Sequence, residues 1–569
     1  MAVNSYQCTT NPLLIPEIVG LVMENVDTVP DLLNCARVNR MWMVPALKNL
    51  YQGSLNDMQF RTPGIESLNC LFVASTERFT RNMSLVKHLL LAPEYPARNC
   101  VGSCGRPICF DFVRVLRYHP QCGLLLRAQP RGLTSLMIPF EIMRLRLELI
   151  ADYLGKSPVE FLAINNYDCT RIVCYGGGEF PNLKALTVYI SEDDPAIGGI
   201  CRLLMIRDLE FVYIEEWHEL GAFERFELSG RLLPHLRAQK NLKALVLSIR
   251  GCGNPLAEEE EEPLWPRLKA LYIDRPDREW FVQLPKFKDL QIFKLLDLTS
   301  DAYINAAVAK CKHLRVLELP NLRLDATDEN QVMETFLDIA RGCPLLQKLS
   351  VKVLSGTWHG EVTKPLLSNL LRALPRLEVL GLGFQFRVYG TELEDLAHHC
   401  PRLTFLELPS AELFISLSQM SRTLPLRYLE IMRFYQVWFK YPLPFIRGVN
   451  FYNLVTEWIR IFPKLRTEPC SNDVEYNPGI LSGEEEYSID HREELSFPDD
   501  DEDREDSEWH VIRAKLWQAL GYGKVDDGVD NRLHYMWQTN LEIETIGWPV
   551  LSSKAFIHPV WHSSTLTKY

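Results

Sequence analysis

One pattern of apolar and polar positions recurs along most of the chain. It runs apolar-x-x-apolar-x-apolar, as in LKALTV at Leu183 and LRVLEL at Leu314. Such phrases begin at Leu133, Val159, Leu183, Leu209, Leu242, Leu268, Leu290, Leu314, Leu346, Leu377, Leu403 and Leu426, and VKHLLL at Val86 is an earlier candidate. The mean spacing from Leu133 to Leu426 is about 27 residues. Self-similarity at this period predicts a stack of similar structural units.

Each unit should contain a strand and a helix. Positions four and six of the phrase fall on one face of a short strand, because side chains alternate. Between phrases, segments such as 332–343 and 393–400 have apolar residues at helical spacing. Only stacking on neighbours buries these apolar faces. The predicted fold is α/β: over residues 85–466, a leucine-rich repeat solenoid with a curved parallel sheet backed by helices. Repeat lengths of 22 to 33 residues, without a regular Asn or Cys ladder, make it irregular.

Positions three and five of the phrase should point away from the core, onto the concave face of the sheet. Aromatic and acidic residues mix there, as they do on surfaces that recognise proteins. The predicted target-binding residues are Phe211, Tyr213, Tyr272, Glu318, Phe405, Glu407, Tyr428 and Glu430. The late glutamates favour a basic segment on the bound protein. Ordinary solvated strand residues are the alternative interpretation.

A different pattern occupies residues 11–51. Apolar residues at Ile15, Ile18, Val22 and Val26 have helical spacing, and the pattern breaks at residues 27–30. A second apolar set follows, with members Leu32, Leu33, Ala36, Val38 and Trp42. Two helices in about 35 residues bury too little surface to stand alone. They must therefore pack on the rest of the chain, on a partner, or on both.

This stretch resembles an F-box, the module that docks a substrate receptor onto the Skp-type adaptor of a cullin ubiquitin ligase. The matching residues are Ile15-Pro16-Glu17-Ile18, Val22, Pro30-Asp31-Leu32-Leu33, Ala36, Val38 and Trp42. The irregular repeats likewise resemble those of fungal-type F-box receptors. The resemblance implies an F-box-like helical module at residues 11–52, and a substrate receptor of an SCF-type E3 ligase whose repeats bind the target protein.

If the resemblance holds, seven residues form or support the adaptor-binding surface: Pro16, Ile18, Val22, Leu32, Leu33, Val38 and Trp42. The alternative is a leucine-rich repeat binding scaffold whose N-terminal hairpin only caps the solenoid, since open solenoid ends need covering. Both interpretations remain open from the sequence.

The other segments complete the predicted domain organisation. Residues 53–84 form a connector with short helical patches. Residues 467–508 are acidic, with 17 acidic and 2 basic residues between Glu468 and Glu508, and are expected to be disordered. Residues 509–569 regain helical spacing and are rich in tryptophan. This C-terminal segment is expected to pack back on the solenoid as a cap.

Composition limits the classes of partner and compartment. The net charge is −12, and the rest of the chain carries about +3 once the acidic segment is set aside. Without a basic excess, nucleic-acid binding is not expected. Long apolar runs and a secretory signal pattern are missing, so no membrane partner is expected. Fifteen cysteines without paired spacing favour the cytoplasm or the nucleus.

Candidate chemistry is sparse. The common nucleophile, phosphate-loop and metalloprotease motifs are missing from the sequence, so neither an enzyme nor a cofactor is predicted. Cys100, Cys104 and Cys109, with His119 and Cys122 nearby, could supply zinc ligands, but their spacings are not paired CxxC. An ordinary cysteine-rich insertion is the preferred interpretation, and no metal site is predicted.

Three further cysteines, Cys311, Cys343 and Cys400, each precede the leading leucine of a phrase by three residues. Other phrases place Phe180, Trp265, Phe287 or Leu374 there, so the position should hold a buried apolar group. Cysteine at this position should therefore act as a small hydrophobic residue.

Overall fold

In a computed structural model the described residues are 13, 15–24, 26, 29–52, 71, 74–85, 88–90, 134–138, 151, 154–156, 158–175, 180–190, 197–206, 208–216, 222–249, 264–274, 276–296, 303–322, 329–353, 364–383, 387–439 and 449–465. The chain divides into two compact units, of which unit 1 includes the N-terminal part up to Asp277 and unit 2 begins at Arg278. The cysteines near residue 100, most of the predicted connector, the acidic segment and the C-terminal segment lie outside the described residues.

Unit 1 begins with the helices α1 (Pro16–Glu24), α2 (Val29–Val38), α3 (Arg40–Gln52) and α4 (Thr76–Met83). Its strands are β1 (His88–Leu90), β2 (Ser135–Ile138), β3 (Phe161–Asn165), β4 (Ala185–Ile190), β5 (Phe211–Glu216), β6 (Ala244–Ser248) and β7 (Ala270–Ile273). Helices α5 (Asn166–Tyr175), α6 (Gly198–Ile206) and α7 (Ala222–Arg237) connect successive strands. All seven strands are parallel and adjacent in chain order, and β1 confirms the early phrase at Val86.

Unit 2 repeats the arrangement. Its strands are β8 (Ile292–Leu295), β9 (Val316–Leu322), β10 (Lys348–Val353), β11 (Val379–Leu382), β12 (Arg387–Tyr389), β13 (Phe405–Ile415) and β14 (Ile431–Phe439). Its helices are α8 (Arg278–Gln283), α9 (Tyr303–Val308), α10 (Glu329–Gly342), α11 (Lys364–Ala373), α12 (Gly390–His399), α13 (Leu417–Met420) and α14 (Val449–Ile461), with a 3-10 turn at Leu284–Lys286. Strands β11 and β12 pair in parallel with successive parts of β13. The predicted solenoid of parallel strands backed by helices is confirmed in each unit.

A tight turn precedes the strand in most repeats. The N–H of the leading leucine donates to the carbonyl of the residue three before it, as in Leu268 to Trp265 at 3.1 Å and Leu346 to Cys343 at 3.1 Å. The earlier residue is buried, which confirms the prediction for Cys311, Cys343 and Cys400. Burial raises the pKa of each of these three thiols to about 12. The thiols therefore stay protonated and pack as apolar groups.

The structure corrects the last phrase by three residues. The sequence placed it at Leu426, but β14 begins at Ile431, which pairs with Phe405 of β13. The leading leucine is therefore Leu429, whose N–H donates to the carbonyl of Leu426 at 3.2 Å. The sequence LRYLEI at Leu426 fits the apolar pattern as well as LEIMRF at Leu429 does. The pattern alone therefore could not identify the correct strand.

The N-terminal module has three helices, whereas the apolar pattern predicted two. Helix α2 ends at Val38 and α3 begins at Arg40, so Trp42 belongs to the third helix. Asn39 separates them, and its side-chain oxygen accepts the N–H of Trp42 at 3.0 Å. Asparagine is among the best residues for capping a helix N-terminus, which explains the break at this point.

Candidate functional site

The helical module has a small core of its own. Val19 and Met23 of α1, Leu32 of α2, and Ala46 and Leu50 of α3 are all buried. The side chain of Asn49 donates to the carbonyl of Met23 and ties α3 to α1. Leu32 therefore stabilises the module, because a residue with no exposed surface cannot meet a partner directly.

Other apolar residues of the module face solvent. Leu21 is 61% exposed, Val38 59% and Val44 63%. Of the other predicted adaptor-binding residues, Pro16, Val22 and Leu33 are exposed, whereas Ile18 and Trp42 are half-buried. Leu21 and Val44 were missed because each stands outside the apolar set that defined its helix. Exposed apolar residues concentrated on so small a module are typical of a protein-binding surface.

The strand face of unit 1 is more shielded than the sequence suggested. Phe211, Tyr213 and Tyr272 are each only 4% exposed. Tyr213 pairs in register with Thr187 of β4 and Val246 of β6, so these residues form one row across the sheet. Strands lie about 4.8 Å apart, so bulky neighbours cover one another. The interpretation of these three as ordinary solvated residues is therefore excluded.

In unit 2 the acidic residues of this face have basic neighbours. The carboxylate of Glu318 forms ion pairs with two buried lysines, Lys348 and, at 3.4 Å, Lys294. Glu407 forms an ion pair with Arg433 at 3.3 Å. The sequence expectation that these glutamates favour a basic partner is weakened, since the chain itself supplies the cations.

Of the other predicted target-binding residues of unit 2, Phe405 occupies strand position three but is buried, whereas Tyr428 and Glu430 lie before their strand. Phe405 is buried in a cluster with Val379 and Ile431. Tyr428 is exposed in the turn before β14, where Lys464 lies 5.0 Å from the ring centre. The N–H of Glu430 donates to the carbonyl of Thr404 at 2.8 Å, just before the strand. Tyr428 and Glu430 therefore do not occupy strand positions three and five.

A polar cluster on β4 and β5, missed by the sequence analysis, consists of Thr187, Tyr189, Tyr213 and Glu215. The hydroxyl of Tyr213 donates to a carboxylate oxygen of Glu215 at 2.9 Å, and Tyr189 pairs in register with Glu215. Glu215 and Tyr189 stand at position seven, one step beyond the six-residue phrase. Extending the period-two count by one position would have placed both side chains on the same face as Tyr213.

Burial controls the chemistry of this cluster. It raises the pKa of Glu215 to about 7, an effect that the hydrogen bond from Tyr213 partly opposes. Burial also raises the pKa of Tyr189 and Tyr213, and the nearby Glu215 carboxylate adds to both shifts. Both phenols are therefore neutral near pH 7, and Glu215 titrates there.

Within the described ranges, neither a membrane-spanning helix nor a metal-binding group of acidic, histidine and cysteine residues is present. No helix there is long and apolar enough to cross a bilayer. Likewise, no three acidic, histidine or cysteine side chains among the described residues come together as metal ligands.

Comparisons with known proteins find only distant structural likenesses. No family model and no curated protein sequence matches it. Similar solved structures include a TLR13–ssRNA13 complex, with 17% identity, TM-score 0.29, and coverage of 57% of this chain and 39% of that one. A leucine-rich repeat protein of Leptospira interrogans has 10% identity and TM-score 0.32, covering 68% and 91%. A mouse RP105/MD-1 complex has 15% identity and TM-score 0.29, covering 55% and 56%.

At these scores the likenesses carry no argument, and the chain spans well under half of the TLR13 chain. The fold rests on the structure itself, where the same turn and parallel strand recur in register with helices between them. By fold, the chain is a leucine-rich repeat protein preceded by a small helical module.

Proposed function

We propose that the chain is a two-ended binding protein that joins a ligase to its substrate. The helical module would dock on a Skp-type adaptor and through it on a cullin, while the repeats bind a target protein. The observation that carries this proposal is the exposure of Leu21, Leu33, Val38 and Val44 on three helices that already have a buried core. A surface that is not needed for the module's own packing is available to a partner.

In this role the chain is not an enzyme, and its mechanism is proximity. A tethered target meets the ubiquitin-conjugating machinery at a raised effective concentration, so the transfer becomes effectively intramolecular. The bond-forming groups belong to the other subunits. The cytoplasm or nucleus is the compartment in which such a complex would work.

Adaptor copurification with the full chain tests the proposal. Leu33→Asp places a charge in the proposed interface without opening the module's core, and is expected to abolish copurification of the Skp-type adaptor. Val282→Asp, on the exposed side of α8, is the matched control, because Val282 is 64% exposed in unit 2. Equal copurification with both variants would refute adaptor docking.

The capping alternative is supported by a contact within unit 1. Tyr51 at the end of α3 hydrogen-bonds the side chain of Asn82 on α4, whose Phe79 and Met83 are buried. If the module were only a cap, no Skp-type adaptor would copurify even with wild type, and Leu33→Asp would change nothing. Under the adaptor proposal wild type retains the adaptor and Leu33→Asp loses it, while the melting temperature of the variant stays within a degree or two because Leu33 is exposed.

A further inference from the structure

The polar cluster of unit 1 contains a buried hydroxyl with no protein partner in the described ranges. The Oγ1 atom of Thr187 is fully buried and makes no hydrogen bond there. Thr187 pairs with Tyr213, so its side chain lies in the same row as that phenol. Leaving a buried hydroxyl unpaired costs free energy, and such a cost is often retained where a ligand completes the bond.

The same cluster contains a buried carboxylate that has no cationic partner among the described residues. Glu215 is 7% exposed, and the influences on its pKa are burial and the hydroxyl of Tyr213, with no cation among them. Tyr189 lies beside it in register. In unit 2, by contrast, Glu318 and Glu407 have lysine or arginine neighbours. A buried carboxylate without a cation is where a cation from outside gains most.

One side of the cluster is open. Ser248 of β6 pairs in register with Glu215 and is half-buried. Tyr189 of β4 and Tyr213 of β5, by contrast, are buried. Asp274, which follows β7, continues the same row beyond Ser248, and its N–H donates to the carbonyl of Leu247 at 2.9 Å. Ser248 is therefore a half-buried residue between the buried Glu215 and Asp274, and the shortest route from solvent to the Glu215 carboxylate passes over its small side chain.

We propose that this cluster is a receptor for a single cationic side chain, a lysine ammonium or an arginine guanidinium, of the bound target protein. The side chain enters over Ser248 and pairs with the carboxylate of Glu215. It replaces the hydrogen bond from Tyr213, whose hydroxyl can then donate to Oγ1 of Thr187 in the same row. The rings of Tyr189 and Tyr213 supply the aromatic surface on which cations bind favourably. This deepens the target recognition proposed above and rests on it.

Protonation should control the site. The titratable groups facing Glu215 are Tyr189 on β4, Tyr213 on its own strand and, beyond Ser248, Asp274. Both tyrosines stay neutral near pH 7, so Glu215 sets the response. A carboxyl with a pKa of about 7 is about one-tenth ionised at pH 6, so cation binding should be about tenfold weaker at pH 6 than at pH 8.

The test uses the full chain with n-butylammonium as the probe and n-butanol as its neutral counterpart. Thermal unfolding is followed by tryptophan fluorescence at pH 8 as a function of probe concentration, because a ligand of the folded state raises the melting temperature. We expect butylammonium to raise it more than butanol, and Glu215→Gln to abolish the difference. Glu457→Gln on α14, where Glu457 pairs with Arg460, is the control and should respond as wild type does. Butylguanidinium in the same titration decides between lysine and arginine.

Two results would overturn the inference: a Glu215→Gln variant that responds as wild type, or a wild type that responds equally to butylammonium and butanol. Neither result depends on the helical module, because the probe binds without the adaptor. The copurification test, by contrast, changes Leu33 on α2 of that module. Failure of this test is therefore distinct from failure of adaptor copurification.

Discussion

On the strand face of unit 1, two residues bury polar atoms beside aromatic rings. Thr187 and Glu215 stand among Tyr189, Tyr213 and Val246, all nearly closed to solvent. Apolar side chains in their place would stabilise the fold more, since polar burial is unfavourable without full pairing. The polar cluster therefore makes the fold less stable than an apolar one would. This cost is the reason, at the scale of residues, for assigning the cluster to binding.

Replacing Thr187 with valine should stabilise the ligand-free protein. The two side chains have nearly the same shape, and valine removes a fully buried hydroxyl that makes no hydrogen bond in the described ranges. The free energy of unfolding should rise by about 1 kcal/mol. Urea unfolding of the full chain measures it, with Thr456→Val, at an exposed position of α14, as the control expected near zero. A loss of more than about 1 kcal/mol in Thr187→Val would contradict the assignment.

The pKa of Glu215 predicts how stability depends on pH. Its value rises from 4.5 in the unfolded chain to about 7 in the folded one, so the folded state binds more protons between these values. Stability from this group is therefore present below about pH 4.5 and is lost as pH rises through 7. The loss relative to Glu215→Gln should reach about 3 kcal/mol by pH 8.

Urea unfolding of wild type and Glu215→Gln at pH 5, 6, 7 and 8 checks this expectation. The difference between the two proteins isolates Glu215 from other titrating groups. A difference that stays constant over this range would show that the carboxyl titrates normally.

At the scale of elements, each repeat is a turn, a strand and a helix that are specified locally but paired at a distance. The turn needs a buried residue three places before the leading leucine, a rule visible in the sequence and met by Cys311, Cys343 and Cys400. Strand register is different, since two phrases three residues apart both fit near Leu426. Pairing of Ile431 with Phe405 decides between them, and that contact joins residues 26 positions apart.

Paired alanine substitutions test this register. Met432 is fully buried at position four of the corrected phrase, whereas a phrase starting at Leu426 would place it at position seven on the outward face, so Met432→Ala should lower the free energy of unfolding by about 2–5 kcal/mol. Tyr428→Ala should lower it by about 1 kcal/mol or less, because the side chain is exposed and loses mainly its contact with Lys464. Urea unfolding compares the two variants. The opposite order of effects would restore the register predicted from the sequence.

For the whole molecule, the two proposed surfaces lie on separate elements. Adaptor docking uses α1–α3, whereas cation recognition uses β4, β5 and β6. The module has its own core around Leu32 and Met23, so a change on its exposed side should leave the strand face intact. A two-ended adaptor needs this independence, because the target must bind whether or not the ligase is assembled.

The independence of the two proposed surfaces gives the last prediction. Leu33→Asp should remove adaptor copurification and leave the butylammonium response unchanged, and Glu215→Gln should do the reverse. The double variant should lose both, with no additional change, because distant sites without shared partners behave additively. Copurification and thermal unfolding on the four proteins supply the data. A loss of both properties in either single variant would mean that the surfaces are coupled or that the chain has misfolded.

The sequence by itself determined the repeat, the strand and helix of each unit, the buried cysteines and the presence of an N-terminal helical module. These features depend on periods of two to four residues and on self-similarity near 27, all of which can be read along the chain. Only the tertiary structure decided the register of β14, the ion pairs at Glu318 and Glu407, and the burial of Glu215 and Thr187 beside Tyr213. Each of these depends on which side chain stands on the neighbouring strand, some 24 to 33 residues away, and no local pattern contains that information.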